Sequence, residues 1–237
     1  MLKKSGIIYF FAGVALMPVC IAATYALLET FSELNSLNSS FRTETTALCL
    51  GYLTWLTVWF FLPRPSGSYI LAHELTHALW GLVFGADVKK INITEKGGSV
   101  TLSKTNLWIT LSPYFFPFYT FLVIIIWYIT SFFINPVPWA PVWHFFIGFT
   151  WSFHTCFTIN SLMVKQPDIH TYGRIFSYAV IYFFNLVVIA LWLIATTPVK
   201  ADRLCRSFQE KTYSVYTTIY TKSVRIFKVT IWFHKWL

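Results

Sequence analysis

Charge is what this sequence has least of. Asp, Glu, Lys and Arg make up 11% of the 237 residues, against about 25% in an ordinary soluble domain. Too few polar groups remain to cover a water-facing surface, which excludes a soluble globular fold of this length. Acids are the scarcer sign, nine Asp and Glu against 18 Lys and Arg. Cysteine is sparse as well: four in the chain, with no Cys-x-x-Cys and no paired spacing. Three of them (Cys20, Cys49, Cys156) stand in apolar runs, where a free thiol acts as a small hydrophobe. Neither a disulfide nor a cysteine metal site is expected. No Gly-x-Ser-x-Gly stands in an apolar run, which disfavours a serine nucleophile.

What is present is apolar sequence in long runs. They cover residues 6–28, 46–62, 69–84, 111–134, 142–163 and 175–195. Crossing the hydrocarbon takes roughly 20 residues, so the second and third runs are short. The expected fold is an all-α, multi-pass integral membrane protein of about six transmembrane helices, in a plasma or inner membrane. Trp108, Trp127, Tyr128, Trp139, Trp143 and Tyr178 sit near run ends, as interfacial anchors do. Lys3 and Lys4 precede a run too long for a signal peptide, so a signal anchor is expected. A polar loop is expected over 29–44, and PRPSGS, residues 63–68, reads as a turn. Over 87–106 the apolar period shortens to near two (Val88, Ile91, Ile93, then Val100, Leu102), with Gly97-Gly98 between; this predicts a β-hairpin. After Pro198 basic residues interleave with aromatics: Lys200, Arg203, Arg206, Lys211, Lys222, Arg225, Lys228 and Lys235 among Tyr213, Tyr216, Tyr220, Phe227, Trp232 and Trp236. In a membrane protein this predicts a tail lying on anionic lipid, not a nucleic-acid surface.

Against that background SYILAHELTHALWG stands out. An ionisable side chain inside an apolar run is costly, so three within five residues imply function. His73 and His77 are four apart and share one helix face, where both can reach a single metal ion. Zinc suits such a pair, and Glu74 beside the first imidazole can act as a base toward water. Two imidazoles do not complete a catalytic zinc site, which needs three protein ligands. The extended H-E-x-x-H-x-x-G-x-x-H is absent, because Trp80 and Val83 occupy its Gly and His positions. Asp168, in the polar break LMVKQPDIHTYG between two runs, is the stronger candidate for the third ligand, with His154 and His170 as rivals.

These features resemble the site-2 protease family of intramembrane zinc metalloproteases. The likeness rests on HELTH at 73–77, the hairpin ITEKGGSVTL behind it, the proline-bearing SPYFFP, and INSLMVKQPD with Asn160 eight residues before Asp168. The sequence departs from the family in having Ile169 after that Asp and Met163 where a proline is usual. The resemblance implies zinc on His73, His77 and Asp168, Glu74 as general base, and Asn160 contacting an extended substrate. It implies cleavage of a membrane protein or peptide that carries a transmembrane segment. Three segments follow: two N-terminal helices over 1–66, a metalloprotease core over 67–198 and the cationic tail over 199–237. The rival expectation is a zinc-binding membrane protein without proteolysis, a scaffold or a transporter.

Overall fold

The computed structural model describes residues 4–34, 39–94 and 97–234. Lys3, Lys4, residues 35–38 and 95–96, and Phe227, Lys228, Trp232, Lys235 and Trp236 of the tail lie outside the described residues or side chains. The chain is mostly helical with one small antiparallel hairpin. It divides into two compact units, one of Leu37–Ser177, the other of Met1–Ser36 with Tyr178–Leu237.

The larger unit opens with α2 (Ser39–Phe61), which packs on α6 (Ala140–Met163). Two glycines permit the crossing. A Cβ on Gly51 would land on the carbonyl of Phe145, and one on Gly148 on the carbonyl of Leu48. Such close backbone approach is how helices associate without a hydrophobic driving force. Below the crossing, Trp55 meets Phe149 and Phe153, and Trp59 meets Phe157. Tyr69 stacks on the other face of this cluster, 4.7 Å from the Phe157 centroid, which ties α6 to α3 (Ser66–Val83).

Helix α3 ends in a Schellman motif. Gly85 takes φ +68°, its N–H bonds Leu82 O at 2.9 Å, and the Ala86 N–H bonds Gly81 O at 2.8 Å. The chain then forms β1 (Val88–Thr94) and β2 (Gly97–Leu102), paired from Thr94↔Gly97 to Val88↔Leu102 with an irregularity between Val88 and Lys90. Both strands pack on α3, with the Leu102 side chain over Gly81. Next come α4 (Leu107–Leu111), capped by the Asn106 side chain on the Ile109 N–H at 2.9 Å, and a 3-10 turn at Ser112–Tyr114. Pro117 precedes α5 (Phe118–Thr130), and the chain bends by 82° there. A second 3-10 turn, Val137–Trp139, leads into α6, and α7 (Pro167–Thr171) follows it.

In the other unit, α1 (Lys4–Leu34) and α9 (Ala201–His234) run antiparallel. Lys211 Nζ is 2.8 Å from Glu29, Arg203 is 2.6 Å from Glu33, and the Tyr216 hydroxyl donates to Ala15 O at 3.1 Å. The first half of the basic tail is therefore a helix held on α1. Most of α8 (Arg174–Thr196) belongs to this unit, with the Tyr182 hydroxyl 2.9 Å from Thr24 Oγ1.

The compact units cut across the segments 1–66, 67–198 and 199–237: α2 packs on α6 through its glycine crossing, and α9 is held on α1 by ion pairs. Within the polar loop expected over 29–44, residues up to Leu34 belong to α1 and those from Ser39 to α2. Among the described residues two helices, not six, are long and apolar enough to cross a membrane: Gly6–Leu34 and Arg174–Thr196. A third counts if Leu107–Tyr114 and Phe118–Thr130 form one bent span. Polarity lowers the rest. Helix α6 carries buried His144, Ser152, His154, Thr158 and Ser161, and α3 carries Glu74, Thr76 and His77.

Candidate metal centre

The three ionisable groups of α3 lie in its third and fourth turns. The His73 and His77 rings are one turn apart, with centroids 4.9 Å from each other and planes at 78°. Asp168 comes from the first turn of α7, where Pro167 starts the helix. Its Oδ2 lies 3.5 Å from His73 Nε2 and 3.5 Å from His77 Nε2. One ligand atom from each of these residues falls within 4.8 Å of the other two.

Hydrogen bonds behind the rings set what the ring nitrogens offer. His77 Nδ1 is 2.7 Å from the Ile109 carbonyl oxygen. A carbonyl only accepts, so Nδ1 carries the hydrogen, and Nε2 of the neutral ring presents a lone pair. His73 Nδ1 is 3.2 Å from the Tyr69 hydroxyl, which is 2.8 Å from Ser161 Oγ. The same tautomer there gives one consistent donor chain, His73 to Tyr69 to Ser161. The Tyr114 hydroxyl donates to Asp168 Oδ2 at 3.1 Å.

Two lone pairs and a carboxylate oxygen thus converge, an arrangement that can hold a cation between them. At 3.5 Å the N···O separations exceed a good N–H···O bond. Two ligand atoms about 2.0–2.1 Å from one tetrahedral ion lie about 3.3–3.4 Å apart. The observed spacing fits a small ion of that kind.

A cleft of about 660 Å³ opens beside these groups, lined by His73, Glu74, His77, Asp168 and residues 98–105. Glu74 is 7% exposed and lies directly under β2. A Cβ on Gly98 would come within 2.8 Å of Glu74 Oε1, so the strand can pass this close only as glycine. The second edge of β2 has no strand partner among the described residues.

The structure brings together His73, Glu74, His77 and Asp168. It does not bring Asn160 to them: that residue is exposed on α6 and does not line the cleft. The buried face of α6 carries His154, Phe157, Thr158 and Ser161, so Asn160 turns away and Ser161 reaches the site through Tyr69. Of the rival ligands, His170 is exposed; His154 is buried, and its Nε2 has no hydrogen-bond partner. Neither belongs to the three-residue group. Sequence reasoning missed Tyr69, Tyr114 and the contact of Gly98 with Glu74. Tyr69 carried a signal, standing four residues before His73 on one helix face. Comparison with protein-family models, curated proteins and solved structures gives no match for this chain.

Proposed function

We propose that this protein is a multi-pass intramembrane zinc metalloendopeptidase, resembling the site-2 protease family, that cuts membrane proteins in or near their transmembrane segments. The observation that carries the reading is the convergence of His73, His77 and Asp168 from two separate elements beside a buried Glu74. Two imidazoles and one carboxylate are a ligand set that zinc favours, with a fourth position left for water or substrate. Bound zinc would supply Lewis acidity, polarising a carbonyl and acidifying water near neutral pH. Glu74 takes the proton of the attacking water and returns it to the leaving amine. A substrate helix must unwind before attack, because its carbonyls are bonded internally. The free edge of β2 along the cleft can hold the unwound stretch by strand addition.

About six crossings belong to the same proposal. Helices α2 and α6, with 23 and 24 residues, are long enough for the hydrocarbon core. Their polar side chains lower mean hydropathy but can face protein rather than lipid. The exposed half of α9 is proposed to meet anionic lipid through Lys222 and Arg225, with Tyr213 and Tyr220 beside them.

The exposed Asn160 favours a second reading, a zinc-binding membrane protein without turnover, because the residue meant to hold substrate does not line the cleft. Glu74→Gln separates the two. Membrane fractions of wild type and variant are compared by proteomics, with zinc content measured alongside. A protease keeps its zinc and loses specific fragments; identical fragment patterns would remove the hydrolytic reading.

A further inference from the structure

Each of the three converging side chains has one partner behind it, and the partners differ in kind. His77 is held by the Ile109 carbonyl and His73 by Tyr69 from its own helix. Asp168 has the weakest local support. It stands on a five-residue helix, and its side chain is 25% exposed. A carboxylate so placed samples several rotamers unless something fixes it.

Tyr114 is built to fix it. The residue is fully buried in the 3-10 turn between Pro113 and Pro117. Its ring meets the His73 ring edge to face, with centroids 5.2 Å apart and planes at 85°. A ring nitrogen of buried His154 bonds its backbone. The hydroxyl reaches Asp168 Oδ2 at 3.1 Å, the same oxygen that faces both imidazoles. A hydroxyl that donates to one carboxylate oxygen sets which oxygen points where, and a rigid donor does this before any ion arrives.

We infer that Tyr114 is a positioning residue for the metal: its hydroxyl orients the Asp168 carboxylate, so that the third ligand is in place in the metal-free protein. The inference rests on the proposed ligand set, and it adds a residue that neither touches the ion nor belongs to the H-E-x-x-H helix. Outer partners of this kind are worth 10–100-fold in metal affinity.

The test uses the full chain in detergent micelles. Zinc affinity is measured by competition with a chromophoric chelator, and cobalt(II) absorption reports coordination geometry. Tyr114→Phe is expected to weaken zinc by about 10–100-fold and to change the cobalt spectrum, with helicity and melting unchanged. Tyr119→Phe, which removes a hydroxyl bonded instead to Ser68 O, is expected to do neither. In an Asp168→Ala background Tyr114→Phe is expected to have no further effect on zinc. Wild-type affinity and spectrum in Tyr114→Phe would overturn the inference while leaving the ligand set intact. Failure of the wild type to bind zinc would overturn both. Should Tyr114→Phe not fold, 3-fluorotyrosine at position 114 keeps the ring and hydroxyl while changing donor strength; an unaltered cobalt spectrum there would overturn the inference equally.

Discussion

At His77 the site's chemistry depends on which ring nitrogen holds the proton. The Ile109 carbonyl settles it at 2.7 Å and leaves Nε2 as a lone pair toward Asp168. His77→Ala should therefore abolish tight zinc binding, read by elemental analysis of the purified chain, because two ligands do not make a stable site. Glu74→Gln should keep zinc and lower turnover by about 10²–10⁴-fold, since it removes only proton transfer. Retained cleavage in that variant would show that Glu74 is not the base. At this scale much was legible in the sequence. The His73–His77 spacing is a property of any helix, and Asp168 was marked by a rare acid in a polar break. The role of Asn160 is implied by the family resemblance alone; helix α6 continues to Met163, and its phase turns Ser161 inward. Tyr114 was hidden because a tyrosine in an aromatic-rich run looks like packing, and only the fold shows its hydroxyl on Asp168.

Elements join the site through two close approaches. Strand β2 passes over Glu74 at Gly98, and α2 crosses α6 at Gly51 and Gly148. Gly98→Ala should push Glu74 or the strand aside and lower turnover by about 10²-fold, since displacements near 1 Å have that effect, while zinc stoichiometry stays the same. Unchanged turnover would mean that the strand and the acid are not coupled. Gly148→Leu should destabilise the larger unit by about 1–3 kcal/mol, the usual cost of overpacking, measured as a shift in denaturant or thermal unfolding. The hairpin itself was legible because its period of two is local. The α2–α6 crossing was not, since it depends on two glycines that lie 97 residues apart.

On the scale of the molecule, α5 and α6 lie between the hairpin and Asp168. If both helices cross the membrane, the chain returns to the side it left, and the Asp168 loop meets the hairpin as the geometry requires. Single cysteines at positions 104 and 165, in a chain with the native cysteines replaced by serine, should then label from one side, and one at position 135 from the other. Labelling of all three from the same side would contradict that topology. Mean hydropathy could not decide the number of crossings, because residues that face the protein interior lower it as much as residues that face water.

The central claim is that His73, His77 and Asp168 share one ion. Zinc stoichiometry of the purified full chain, compared with His73→Ala, His77→Ala and Asp168→Ala, addresses it most directly. The expected result is about one zinc per wild-type chain and a loss of tight binding in each variant. A wild type without zinc, or an Asp168→Ala chain that binds zinc as tightly as the wild type, would contradict it.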